Sequence, residues 1–148
     1  MVPSDSRYGM SLDQQTGTVP VDRLFFALGA IFGFLSVALG AFGAHGLAPR
    51  LTPEQMHTYE LAARYQFYHA LALLGVAWAT VRWPGGVAPA AGWFFTVGIV
   101  LFSGSLYALS IGAPRWVGMI TPFGGVSFLI GWGLLFWLGA VASGAGRG

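Results

Sequence analysis

Cysteine and lysine are both missing from this chain of 148 residues. Without cysteine there is no disulfide, no thiol nucleophile and no thiolate-held iron–sulfur cluster, though nothing follows about compartment. Without lysine every basic side chain is an arginine, and none of them forms a run. The formal charge of +2 and the pI near 9.4 therefore do not describe a nucleic-acid surface. Charge of either sign is scarce, at 8% of residues, against about 25% in an ordinary globular chain. With 55% hydrophobic residues and a mean hydropathy of +0.67, most of the surface must face something other than water, and a lipid bilayer is the plain candidate. The apolar runs also lack the alternation, over about ten residues, that marks a membrane barrel strand.

Residues 1–22 are polar and rich in Ser, Gln, Gly and Pro. They read as a disordered tail, since nothing in them repeats with an apolar period. Four apolar runs follow, at about residues 24–44, 52–81, 90–109 and 120–141, and a short tail closes the chain at 143–148. The first run is about 31 Å long as a helix, which matches a hydrocarbon core and exceeds the roughly 7–15 residues of a signal-peptide core. The expected fold is an all-α membrane domain over residues 23–142, a bundle of four transmembrane helices.

Glycine supplies a packing expectation. Gly29, Gly33, Ser36, Gly40 and Gly43 recur at steps of four and three residues along one face of the first helix. In lipid, close approach of backbones across small residues is a main source of helix association. Gly104, Ala108 and Gly112 suggest a similar face on the third helix, and Gly124, Ser127 and Gly131 one on the fourth.

The second helix carries most of the polar information. Thr52-Pro53-Glu54-Gln55 reads as a start: an N-cap threonine, proline at the first position and glutamine to close a capping box. From there to Val81 the helix measures about 45 Å, longer than a bilayer core, so its first turns are expected to project beyond the membrane. Met56, Tyr59, Ala63, Phe67, Ala70 and Leu74 form one continuous stripe. His57, Glu60, Arg64 and Tyr68 share an adjacent face, with Glu60 and Arg64 in the favourable i,i+4 order. His69 lies round the helix near Tyr65 and Gln66, about 7 Å deeper than Arg64.

Several chemistries fall on spacing. His57 and His69 stand about 18 Å apart on one helix and cannot share an ion. Serines 103, 105, 110 and 127 lack a nucleophile elbow or a partnered base, and no phosphate loop is present. No catalytic, metal or cofactor site is expected. The candidate functional cluster is His45, Glu60, Arg64, Tyr65, Gln66 and His69. Arg64 can snorkel to the headgroups. His69 is either an intramembrane functional group or a neutral imidazole bonded to Gln66, Tyr65 or a backbone carbonyl. His45 is either a partner of the helix C-terminus or a member of the site.

The segment GAFGAHGL at residues 40–47, followed by ARYQFYHAL at 63–71, resembles the YgdD-like family, also called the transmembrane protein 256 family. The resemblance covers about residues 24–141 and rests on Gly43, Ala44, His45 and Gly46 with Arg64, Tyr65, Gln66, Tyr68 and His69. It implies a small multi-pass protein of the inner membrane with four helices, and it implies no activity. With four spans both termini share one side. Arg7, Arg23, Arg82 and Arg147 against Arg50, Arg64 and Arg115 tip that side toward the cytoplasm. The expected partners are the bilayer and either a second copy or another membrane protein. The expected role is structural or accessory. A small transporter or channel with a polar path near His69 and Arg64 is the alternative, and a lipid-binding protein or intramembrane enzyme the second.

Overall fold

Pro20 ends the polar run, and its carbonyl accepts a 3.0 Å hydrogen bond from the Leu24 amide. In the computed structural model, which describes residues 19–144, helix α1 starts there, at Val21–Phe42. Val21 and Asp22 therefore belong to the helix and not to the polar tail. Asp22 sits in the first turn, where a negative charge meets the positive end of the helix dipole. The rest of the expected N-terminal tail, residues 1–18, lies outside the described residues, as do positions 145–148 of the C-terminal one.

Among the described residues every regular element is helical. Helix α1 runs without a break into a π-helical turn at Gly43–Leu47. Helix α2 spans Pro53–Arg82, and Thr52 and Gln55 close the capping box at its start with hydrogen bonds of 3.3 and 2.9 Å. Helix α3, Val87–Gly98, passes through a second π-helical turn at Ile99–Ser103 into α4, Gly104–Ser110, so that the three form one rod. A 3₁₀ turn at Arg115–Met119 leads into α5, Thr121–Gly144. Helix α2 packs against α1 on one side and the α3–α4 rod on the other, and α5 packs on that rod.

Among the described residues, three segments are long and apolar enough to cross a membrane: Val21–Leu47, Val87–Ser110 and Arg115–Val141. Helix α2 is as long as these, but Glu54, Glu60 and Arg64 make its first half polar. The π turn prolongs the first segment to 27 residues, close to the 30 of α2, so the polar turns of α2 lie beside α1 rather than past it. Gly43 faces Met56 and Tyr59 near one end, and Gly29 faces Ala70 and Leu74 toward the other.

The small-residue stripe of α1 lies along α2. A methyl group at Gly29 would stand 2.9 Å from the Ala70 carbonyl oxygen and 2.8 Å from Leu74, so the two backbones need glycine to approach this closely. Gly33 lies over Ala70, the Ser36 hydroxyl donates to the Ala63 carbonyl at 2.7 Å, and Gly40 meets nothing within 4 Å. On α2, Tyr59, Ala63 and Ala70 are buried along this seam, while Phe67 turns outward and is 39% exposed.

Elsewhere the glycines are sockets for rings. Gly92 receives Phe25, Gly98 receives Phe128, Gly131 receives Phe95, and Gly124 lies against the backbone and side chain of Phe102. Phe25, Phe95 and Phe128 belong to the buried core with Leu73, Val76 and Ile99. The packing face expected at Gly104, Ala108 and Gly112 does not form. Gly104 and Gly112 have open space where a side chain would be, and Gly112, at φ +98, turns the chain after α4. The rod meets α5 instead through Gly98 and Phe102.

Candidate functional site

The helical period carries His69 to the inner side of α2, where it is 5% exposed. Its Nδ1 stands 2.8 Å from the Tyr65 carbonyl oxygen, and the Trp132 indole Nε1–H donates to its Nε2 at 3.3 Å. A carbonyl only accepts and an indole N–H only donates. The ring is therefore the neutral tautomer with its hydrogen on Nδ1. It lies flat on Phe128, with centroids 3.4 Å apart and planes within 5°, and Phe95 stands 5.7 Å away. Phe95 and Phe128 fall near the middle of their apolar segments, so His69 sits about half-way along the bundle.

Of the six residues of the candidate cluster, the structure brings together only Tyr65 and His69. Their rings stack at 6.1 Å, and the Tyr65 ring also meets Phe102 at 4.8 Å. Gln66 is buried at the same level, but its Nε2 donates across the other interface, to the Phe32 carbonyl of α1 at 2.9 Å. Glu60 and Arg64 point outward and are exposed. They make no ion pair with each other, and none occurs among the described residues. His45 is exposed on the first π turn, and His57 is exposed on α2. Among the described residues, no three of the His, Asp and Glu side chains gather.

Sequence reasoning missed Trp132, Phe128 and Phe102. Trp132 carried a readable signal, being a tryptophan set in from the ends of an apolar segment where indoles usually collect. Phe102 is placed by the second π turn, and apolar composition does not mark such a turn. With Tyr65, Tyr68, Gly125 and Trp132, the imidazole opens on a groove of about 410 Å³ between α2 and α5.

A second group of polar side chains lies toward the end of the bundle that holds the first π turn. The Tyr59 hydroxyl donates to the Leu39 carbonyl at 2.9 Å, and its ring meets Tyr107 edge-on at 4.9 Å. The Tyr107 hydroxyl and Ser103 Oγ are buried and make no hydrogen bond. Both hang from the rod just where the π turn rejoins α4, a position where π-helical turns often serve a site.

Chemically, the His69 arrangement ties helices together. Both ring nitrogens are engaged, one on its own helix and one on α5, which leaves no free lone pair for a proton or a ligand. Ser127 makes a similar tie, donating from α5 to the Phe94 carbonyl at 2.7 Å.

Comparison with known proteins gives the same picture of a membrane chain. Residues 39–125 match the family described as "Protein of unknown function (DUF423)". The chain is 46% identical over 111 residues to the UPF0382 membrane protein YwdK of Bacillus subtilis, covering 74% of this chain and 90% of that one. It is 43% identical over 119 residues to the UPF0382 inner membrane protein YgdD of Escherichia coli, covering 80% and 90%. A UPF0382 membrane protein of Staphylococcus epidermidis is 45% identical over 116 residues, covering 74% and 89%. No solved structure matches. The resemblance carried by the GAHGL and RYQFYH segments is thereby met, and the chain belongs to this DUF423 family of membrane proteins of unknown function.

Proposed function

We propose that the chain crosses the membrane four times, α2 included, and serves as a structural or accessory bundle without catalytic chemistry. Four crossings put the start of α1 and the end of α5 on one side. Its likeness to the YgdD protein, which is named for the inner membrane, supports the inner membrane as its location. One observation carries the reading: the polar side chains buried around the middle of the bundle are spent on holding helices. Ser36 and Gln66 bond α2 and α1 to each other, His69 receives the Trp132 indole from α5, and Ser127 bonds α5 to α3. In a bilayer such bonds satisfy groups that lipid cannot. They also leave no free polar groups to line a path at that level.

The transport reading draws on Ser103 and Tyr107, whose buried hydroxyls have no partner. A flux assay separates the two. Purified protein in proteoliposomes is expected to pass protons and alkali cations no faster than protein-free vesicles. A flux that is present in the wild type and lost in His69→Ala or Tyr107→Phe would overturn the structural reading.

A further inference from the structure

We propose that the outward face of α2 is an interface between two copies of this chain, packed side by side in the membrane. This rests on the four-crossing reading above. The face is continuous. Glu60, Arg64, Phe67, Leu71, Gly75, Trp78 and Arg82 follow one another at steps of three or four residues, and all are exposed. Leu71 is 51% and Trp78 61% exposed. This is the spacing of a packed helix seam, yet α1, the α3–α4 rod and, at His69, α5 meet the other sides of α2 and leave these residues exposed.

Lipid alone is a poor cover for it. Glu60 and Arg64 lie in the first half of a membrane-crossing helix, and ionisable side chains within such helices face a partner or a water-filled cavity rather than acyl chains. Neither has an ion-pair partner among the described residues, although their i,i+4 order would favour one.

The pattern suits a second copy in particular. A two-fold axis along the membrane normal sets the same face of each copy against the other. Glu60 of one copy and Arg64 of the other then lie one turn, about 6 Å, apart along the axis, a distance the long arginine side chain can span. The symmetry then makes the pair twice. One turn beyond Leu71, Gly75 meets nothing within 4 Å, which lets the two backbones close in the apolar half.

The absence of cysteine makes the test direct. Single cysteines are placed at Leu71 on the seam, at Phe34 on α1 and at Phe136 on α5, the last two being 68% and 79% exposed, and membranes are oxidised. Leu71→Cys is expected to give a disulfide-linked dimer, with Phe34→Cys and Phe136→Cys remaining monomeric. In the Leu71→Cys background, Glu60→Arg or Arg64→Glu is expected to abolish the dimer band, and the double exchange E60R/R64E to restore it. Equal cross-linking at Phe34 or Phe136, no cross-linking at Leu71, or a double exchange that fails to rescue would overturn the proposal. Thiol labelling of Ala48→Cys and Gly86→Cys tells which reading has failed. If these label from opposite sides and no dimer forms, the four-crossing bundle stands and the self-association falls. If they label from the same side, both fall.

Discussion

At His69 a hydrogen bond and a ring stack act on one side chain, and their weights can be separated. His69→Ala removes the ring from a site that is 5% exposed and leaves a cavity against Phe128, which costs about 2–4 kcal/mol. His69→Phe keeps a flat ring on Phe128 but gives up the bond to the Tyr65 carbonyl and leaves the Trp132 N–H without its acceptor, which costs about 1–2 kcal/mol. Thermal unfolding of the purified protein in detergent should therefore rank wild type above His69→Phe and both well above His69→Ala. Equal loss in the two variants would mean that the hydrogen bond, not the stack, holds α5 to α2. The sequence made His69 conspicuous as an ionisable group in an apolar run. Its partners were not legible, because the indole that reaches Nε2 is on another helix and only the bundle register brings it there. Glu60 and Arg64 show the converse: their spacing favours a local pair, yet the side chains diverge on an open face.

Between elements, the α1–α2 contact sets close backbone approach against hydrogen bonding. Ser36→Ala gives up the bond to the Ala63 carbonyl, and interhelical bonds of this kind average about 0.6 kcal/mol in a membrane. Gly29→Leu forces a side chain into a gap where even a methyl group would stand 2.9 Å from the Ala70 carbonyl oxygen, and overpacking of this sort costs about 1–3 kcal/mol. Chemical denaturation in mixed micelles should show Gly29→Leu as the more damaging change. A reversed order would mean that this seam is held by its polar contacts. The stripe on α1 was legible because a helix repeats its face every three or four residues, and the same rule exposed the stripe on α2. The sockets at Gly92, Gly98, Gly124 and Gly131 were not, since a glycine and the phenylalanine it receives lie on different helices. Nor were the two π turns, because one extra residue per turn changes the register without changing the composition. Their effect is large: the first lengthens α1 to match α2, and the second sets Phe102 against Gly124 and Tyr65.

For the molecule as a whole, α2 is the common element, bonded to α1 through Gln66 and receiving α5 through His69. Three apolar segments were legible from hydropathy alone. The fourth run was read from the sequence as well, at residues 52–81, but hydropathy alone does not carry it as a span, because Glu54, Glu60 and Arg64 dilute the first half of α2. If α2 crosses, it does so because its buried side meets other helices and its charged face is covered or reaches the headgroups. Membrane-impermeant thiol labelling tests this most directly. Single cysteines replace Ala48, between α1 and α2; Gly86, between α2 and α3; and Ala113, between α4 and the 3₁₀ turn. The account predicts that Ala48→Cys and Ala113→Cys label from one side of the membrane and Gly86→Cys only from the other. Labelling of Ala48→Cys and Gly86→Cys from the same side would contradict it.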